Sequence, residues 1–261
     1  ELQAVLDGAR PVLEAADDPA ALIPLWRTVA LLASYRCRFG DSLTAYGEVH
    51  RYATLAGDLL QQERARSSLA QTAPWAPLPI GEALALLDEW GAEAETEDLH
   101  ALDSRAILLA LRGDTTEARA LHERVVRELL DRGRVLSAAY AGQVGWFIEV
   151  CAGAMAAAER VVRATYAQLE ATGERSWLST QACYLAECCY QDGRLDDAEE
   201  WARRGRSLGD EDDIITQAWA DLIEAKALAG RGSHEAAQEL AERGLARTEG
   251  VQNPLLVAHA L

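Results

Sequence analysis

Residues 113–133 read GDTTEARALHERVVRELLDRG. Before Gly113, the stretch 99–111 repeats apolar residues at Leu99, Leu102, Ala106 and Leu109, which is helical spacing. Gly113 then closes that helix as a C-terminal glycine. Asp114 and Thr115 are placed to cap the next helix, and Glu117 in its first turn suits the helix dipole. The second helix runs through Leu121 and Val125 to about Leu130, and Gly133 stops it. The stretch is therefore one helix end, one tight turn and one whole helix.

The same grammar recurs along the chain. A glycine followed five residues later by an alanine appears in GDSLTA (40–45), GAMAAA (153–158), GRLDDA (193–198) and GSHEAA (232–237). The alanines at 118, 158, 198 and 237 stand 40, 40 and 39 residues apart. From Ala45 to Ala118 the interval is 73, and PIGEAL (79–84) fills it with Ala83 but without the glycine. The series is then Ala45, Ala83, Ala118, Ala158, Ala198 and Ala237. In a helical hairpin one side chain of the second helix sits where the two backbones come closest, and only a small residue fits there.

This pattern predicts an all-α chain forming a single right-handed α-solenoid of about six helical hairpins with a period near 40 residues. The hairpins are expected at 19–57, 58–94, 95–133, 134–173, 174–211 and 212–252. Residues 1–18 are read as a leading helix from a truncated unit, stopped by Asp17-Asp18-Pro19, with Pro11 a candidate kink. Residues 253–261 are read as the start of a further helix after Asn253-Pro254. Pro74, Pro77 and Pro79 mark 71–79 as a loop. The chain begins at Glu1 without methionine, so we expect it to be part of something larger.

Composition narrows the function. The formal charge is −17, from 42 acidic and 25 basic residues, and Lys226 is the sole lysine. That balance opposes direct binding to nucleic-acid phosphates, and the acidity is read mainly as solvated helix faces. Polar residues interrupt every apolar run, so neither a membrane span nor a signal peptide is expected. The five cysteines match no disulfide or zinc spacing and read as buried small residues in a reducing compartment, hence a cytoplasmic protein. No GxxxxGK[ST] phosphate loop, GxSxG elbow or paired histidine–cysteine ligand set is present. We expect no catalytic residue, no metal, no cofactor and no enzyme activity in this region. Asp196-Asp197 and Asp212-Asp213 are read as helix starts.

The glycine-to-alanine spacing resembles the tetratricopeptide repeat (TPR), whose turn carries the glycine. Longer strings sharpen the likeness: APLPIGEAL (76–84), LALRGDTTEARALHERV (109–125), CAGAMAAAERVVRATYAQLEATGERSWLST (151–180), YQDGRLDDAEEW (190–201) and DDIITQAWADLIEAKALAGRG (212–232). They resemble the C-terminal repeat region of actinobacterial adenylate/guanylate cyclase–type proteins, and related repeats of LuxR-like ATPase regulators. The resemblance implies TPR-like hairpins, and a cyclase or ATPase domain elsewhere in the parent chain.

In such a repeat the first helix of each pair lines the inner groove. Counting back three, six, ten and thirteen residues from the turn glycines places Arg27, Ser34, Asp103, Tyr140, Gln143, Phe147, Glu187, Tyr190, Trp219 and Lys226 on that face. Aromatics mixed with both charge signs suit protein or peptide recognition. The resulting expectation is an interaction and regulatory module in signal transduction. It would hold a protein or peptide partner, or another domain of its parent chain. A small-molecule inducer-sensing domain is the alternative. Oligomeric state is left open.

Overall fold

A computed structural model describes residues 2–16, 18–92 and 98–260. Among them every regular element is helical, so the all-α repeat architecture expected from the glycine–alanine pattern is what forms. Glu1, Asp17, Leu261 and the expected hairpin boundary between 94 and 95 lie outside the described residues.

Contacts divide the chain into two compact units, Glu1–Ala101 and Leu102–Leu261. The first holds α1 (Leu2–Ala15), α2 (Pro19–Tyr35), α3 (Phe39–Ala56), α4 (Leu59–Thr72), a 3-10 turn (Ala73–Trp75) and α5 (Ile80–Ala92). Its core joins Ile23 and Ala30 of α2 to Ala45, Val49 and Ala53 of α3 and to Ala65 and Leu69 of α4. α1 continues through Pro11 without a break. The proline-rich segment is more ordered than a plain loop: Gln71 and Thr72 finish α4, and Pro74 is buried in the 3-10 turn.

The boundary falls in the first turn of α6 (Leu99–Arg112). The second unit continues with α7 (Thr115–Asp131), α8 (Val135–Cys151), α9 (Met155–Thr172), α10 (Ser176–Gln191), α11 (Leu195–Leu208), α12 (Ile214–Gly230), α13 (His234–Arg247) and α14 (Pro254–Ala260). Even-numbered helices from α6 on are the first members of their hairpins. α10 packs on α12, and α12 on α14, so first helices lie side by side.

The turns close as the glycines require. Gly113, Gly153, Gly193 and Gly232 have φ between 68° and 103°, a region costly for residues with a Cβ. In each, the amide beyond the glycine reaches back five residues, as Asp114 N does to Leu109 O at 2.9 Å and Arg194 N to Cys189 O at 2.9 Å. These are Schellman closures.

The first hairpin corrects the expected register. Its left-handed turn residue is Cys37 (φ 54°), not Gly40, which lies inside α3. Arg38 N closes the same bond, to Ala33 O at 2.9 Å. The residue five beyond Cys37 is Ser42, fully buried, with its hydroxyl 2.7 Å from that of Ser34. The close-approach position is the fourth residue of each second helix: Ser42, Ala83, Ala118, Ala158, Ala198 and Ala237, all buried. Ala45 is also buried, one turn further along.

Caps differ from expectation in one place. Asp114 caps nothing with its side chain; its carboxylate pairs with Arg112. Asp213 does cap α12, accepting from Thr216 N at 3.1 Å, and Asn253 caps α14, accepting from Leu255 N and Leu256 N.

Candidate functional site on the first helices

In the second unit the first helices share one continuous aromatic and polar stripe. Trp146 of α8 stacks on Tyr184 of α10, ring centres 4.0 Å apart and planes within 7°. Tyr184 meets Trp219 of α12 edge-on at 5.2 Å, and Trp219 stacks on His259 of α14 at 4.4 Å. Phe147 packs edge-on against both Trp146 and Tyr184. Aromatic pairs in these geometries add to simple burial. The five rings come from four helices, α8, α10, α12 and α14, so the stripe ties successive first helices together.

Polar groups complete it. Gln143 Nε2 donates to the Tyr184 hydroxyl at 2.9 Å, and Trp146 Nε1 donates to Cys188 Sγ at 3.3 Å. Burial drives the Tyr184 phenol strongly upward, so it stays protonated. Gln191 Nε2 donates to Glu187 Oε1 at 2.6 Å. Glu187 Oε2 stands 3.9 Å from Lys226 Nζ and 3.8 Å from His259 Nε2. Burial, helped by the charge of Lys226, pushes the His259 imidazole down to about 3. The ring that meets Glu187 is therefore neutral.

The ten expected groove residues separate by exposure. Phe147, Glu187 and Trp219 are buried within the stripe. Tyr140, Gln143, Tyr190 and Lys226 are partly exposed along its border. Lys226 Nζ lies over the Tyr190 ring at 5.8 Å, and Tyr140 pairs with Trp177 at 5.0 Å. Asp103 is buried and bonds His122 Nδ1 of α7 at 2.8 Å, across its own hairpin. Ser34 likewise bonds across its hairpin to Ser42. Arg27 is exposed on α2 in the first unit.

Counting from turn glycines missed Trp146, Trp177, Tyr184 and His259. Trp146 and Tyr184 lie one residue off the counted positions, on the flank by which neighbouring first helices touch. His259 follows the last turn and so has no glycine to count from. The excess of tryptophan over phenylalanine, seven to two, was the available signal.

Of the cysteines, Cys37, Cys183, Cys188 and Cys189 are buried free thiols, as expected, whereas Cys151 is exposed at the end of α8. Burial raises the Cys188 and Cys189 thiols to about 11, which makes them poor nucleophiles. Among the described residues no group of three or more His, Cys, Asp or Glu could hold a metal ion, and no helix is long and apolar enough to cross a membrane.

No protein-family model matches the chain, and no curated protein matches it. Solved structures do. A Rap protein complexed with competence and sporulation factor matches with a TM-score of 0.67 at 11% identity, over 92% of this chain and 73% of that one. BtubC (BKLC) from P. vanneervenii matches at 0.52 and 13% identity, over 89% and 90%. A Podosopora anserina chain named for kinesin light chain, with nearly identical TPR-like repeats, matches at 0.51 and 20% identity, over 72% and 95%. At these identities the likeness concerns the fold alone: the chain is a TPR-like helical repeat.

Proposed function

We propose that the first-helix stripe of residues 102–261 is a recognition surface for a protein or peptide. The observation that carries this is the half-exposed border of Tyr140, Gln143, Trp177, Tyr190 and Lys226 set against a packed aromatic core. Aromatic and cationic groups held rigidly by such a core lose little entropy on binding. Two similar folds support the reading: the Rap protein crystallised with competence and sporulation factor, and the chain named for kinesin light chain. We place the module in a larger signalling protein of the cyclase-type or LuxR-like ATPase class, on the strength of the sequence strings alone. There it would gate an ATPase or output domain without catalysing a reaction itself. Buried free thiols fit a cytoplasmic setting.

A displayed random-peptide library tests this reading. Selection on the wild type should enrich a peptide family whose binding falls at least about tenfold with Lys226→Glu or Tyr190→Ala, as for a central contact. No enrichment, or enriched peptides indifferent to both changes, would reject it. Trp219 and Glu187 are unsuitable probes, because both are buried and their loss would disturb packing.

One observation favours an inducer-sensing reading. Glu187 Oε2, Trp219 Nε1 and His259 Nε2 are buried and make no hydrogen bond within the described chain. Buried polar atoms left unbonded are costly, and a small polar ligand could satisfy them. A thermal-shift screen of metabolites decides: a shift abolished by His259→Phe supports sensing, and no shift rejects it.

A further inference from the structure

The second helices carry a different feature. Between α7 and α9 lies a cleft of about 460 Å³, floored by Gly145 and Ile148 of α8 and walled by Val126, Leu130 and Val161. Its floor is open because Gly145 lacks a side chain; a Cβ there would lie 2.8 Å from His122 Nε2. Leu130, at the end of the cleft, is 48% exposed.

The charges bordering this cleft on α7 are Arg119, Glu123, Arg127 and Asp131, one turn apart in alternating sign. Read backwards, the row becomes Asp131, Arg127, Glu123, Arg119. Laid antiparallel on itself, every position faces its opposite: Arg119 faces Asp131, and Glu123 faces Arg127. The row is its own complement under a two-fold axis, which is what an isologous contact requires. The same register brings exposed Leu130 against Ala120.

These charges are also available. Among the described residues Glu123, Arg127 and Asp131 form no ion pair. One step around the helix, Arg124, Glu128 and Arg132 satisfy one another at 2.9 Å. α11, by contrast, runs from acidic to basic, and its charges are used within the chain: Arg203 with Glu199, Arg206 with Asp221 and Glu224. Arg119 is held by Glu149 in a bidentate pair at 2.8 and 2.9 Å, so it is already rigid when an acidic group arrives. Two chains of charge −17 repel overall. α7 carries four acidic residues (Glu117, Glu123, Glu128 and Asp131) against three arginines (Arg119, Arg124 and Arg127), so its local balance is −1.

We propose that the chain self-associates through antiparallel pairing of α7 with α7 of a second copy over this cleft. Reciprocal Glu123–Arg127 pairs would lie at the two-fold, with the partner's Asp131 joining Arg119.

Sedimentation equilibrium of the whole chain with charge reversals tests the proposal. The wild type should dimerise. Glu123→Arg or Arg127→Glu alone breaks both reciprocal pairs and opposes like charges, and should raise the dimer dissociation constant at least about tenfold. The double reversal restores both pairs and should return it to within about threefold. Leu130→Asp should weaken the dimer independently of the ion pairs. These side chains are exposed, and unchanged helical circular dichroism confirms folding in each variant. A wild type that stays monomeric up to roughly 1 mM overturns the proposal. So does a dimer indifferent to the single reversals, or a double reversal that fails to restore it.

Discussion

Trp146 and Tyr184 lie flat against each other at 4.0 Å, although they sit on α8 and α10, first helices of successive hairpins. Neither belongs to a turn or to the close contact inside a hairpin. The stack joins one repeat to the next, and Gln143 fixes its orientation by donating to the Tyr184 hydroxyl. In a stacked repeat such interfaces supply stability that no single hairpin has.

Truncating this stack should therefore cost more than an average core change. Trp146→Ala should destabilise the chain by about 3–5 kcal/mol. Tyr184→Phe keeps the ring and loses only the bond from Gln143, and should cost about 1 kcal/mol. Urea unfolding followed by circular dichroism separates the two.

Close approach within hairpins predicts a contrast between neighbours. Ala158 is fully buried and Ala156 exposed, both on α9. Ala158→Leu should cost about 1–3 kcal/mol or more by forcing the helices apart. Ala156→Leu should stay within about 0.5 kcal/mol of wild type. Thermal melts of the two variants check the difference.

Two glycines predict effects of opposite sign. Gly193 sits at φ 76° in open space, so Gly193→Ala adds strain without a clash and should cost about 1–2 kcal/mol. Gly47 lies inside α3, also in open space and without positive φ. Gly47→Ala should stabilise by about 0.5–1 kcal/mol. Equal signs for the two would contradict the assigned turn.

His259 gives the pH dependence. Its folded pKa, about 3, lies below the ordinary value of about 6.5. The docked neutral ring is thus fully favoured above about pH 6.5 and loses about 1.4 kcal/mol per unit as pH falls toward 3. α14 should undock from Trp219 on acidification. Amide exchange in α14, corrected for intrinsic rates, should accelerate between about pH 6 and pH 4 in the wild type, and much less in His259→Phe.

The fold was legible because its rule is local. A glycine that must adopt positive φ and a small residue five positions later recur at a fixed period, and both follow from hairpin geometry. Register failed where that local signal misled: Gly40 lies near the turn, but Cys37 takes the left-handed conformation. Ser42 fills the alanine's place because Ser34 satisfies its hydroxyl. The first-helix face was legible only in part. Sequence spacing located Glu187, Tyr190, Trp219 and Lys226 on it, yet could not say that Glu187 and Trp219 are buried while Lys226 is half-exposed. That depends on how neighbouring first helices meet, which is a property of packing between repeats. Likewise Asp103 turns into its own hairpin toward His122, a partner nineteen residues away.

Hydrogen exchange on the complex with a library-selected peptide locates the recognition surface helix by helix. Exchange should slow in α8, α10 and α12, centred near Gln143, Tyr190 and Lys226, with α9 and α11 unchanged. Protection confined to the second helices α7, α9 and α11 would contradict that assignment.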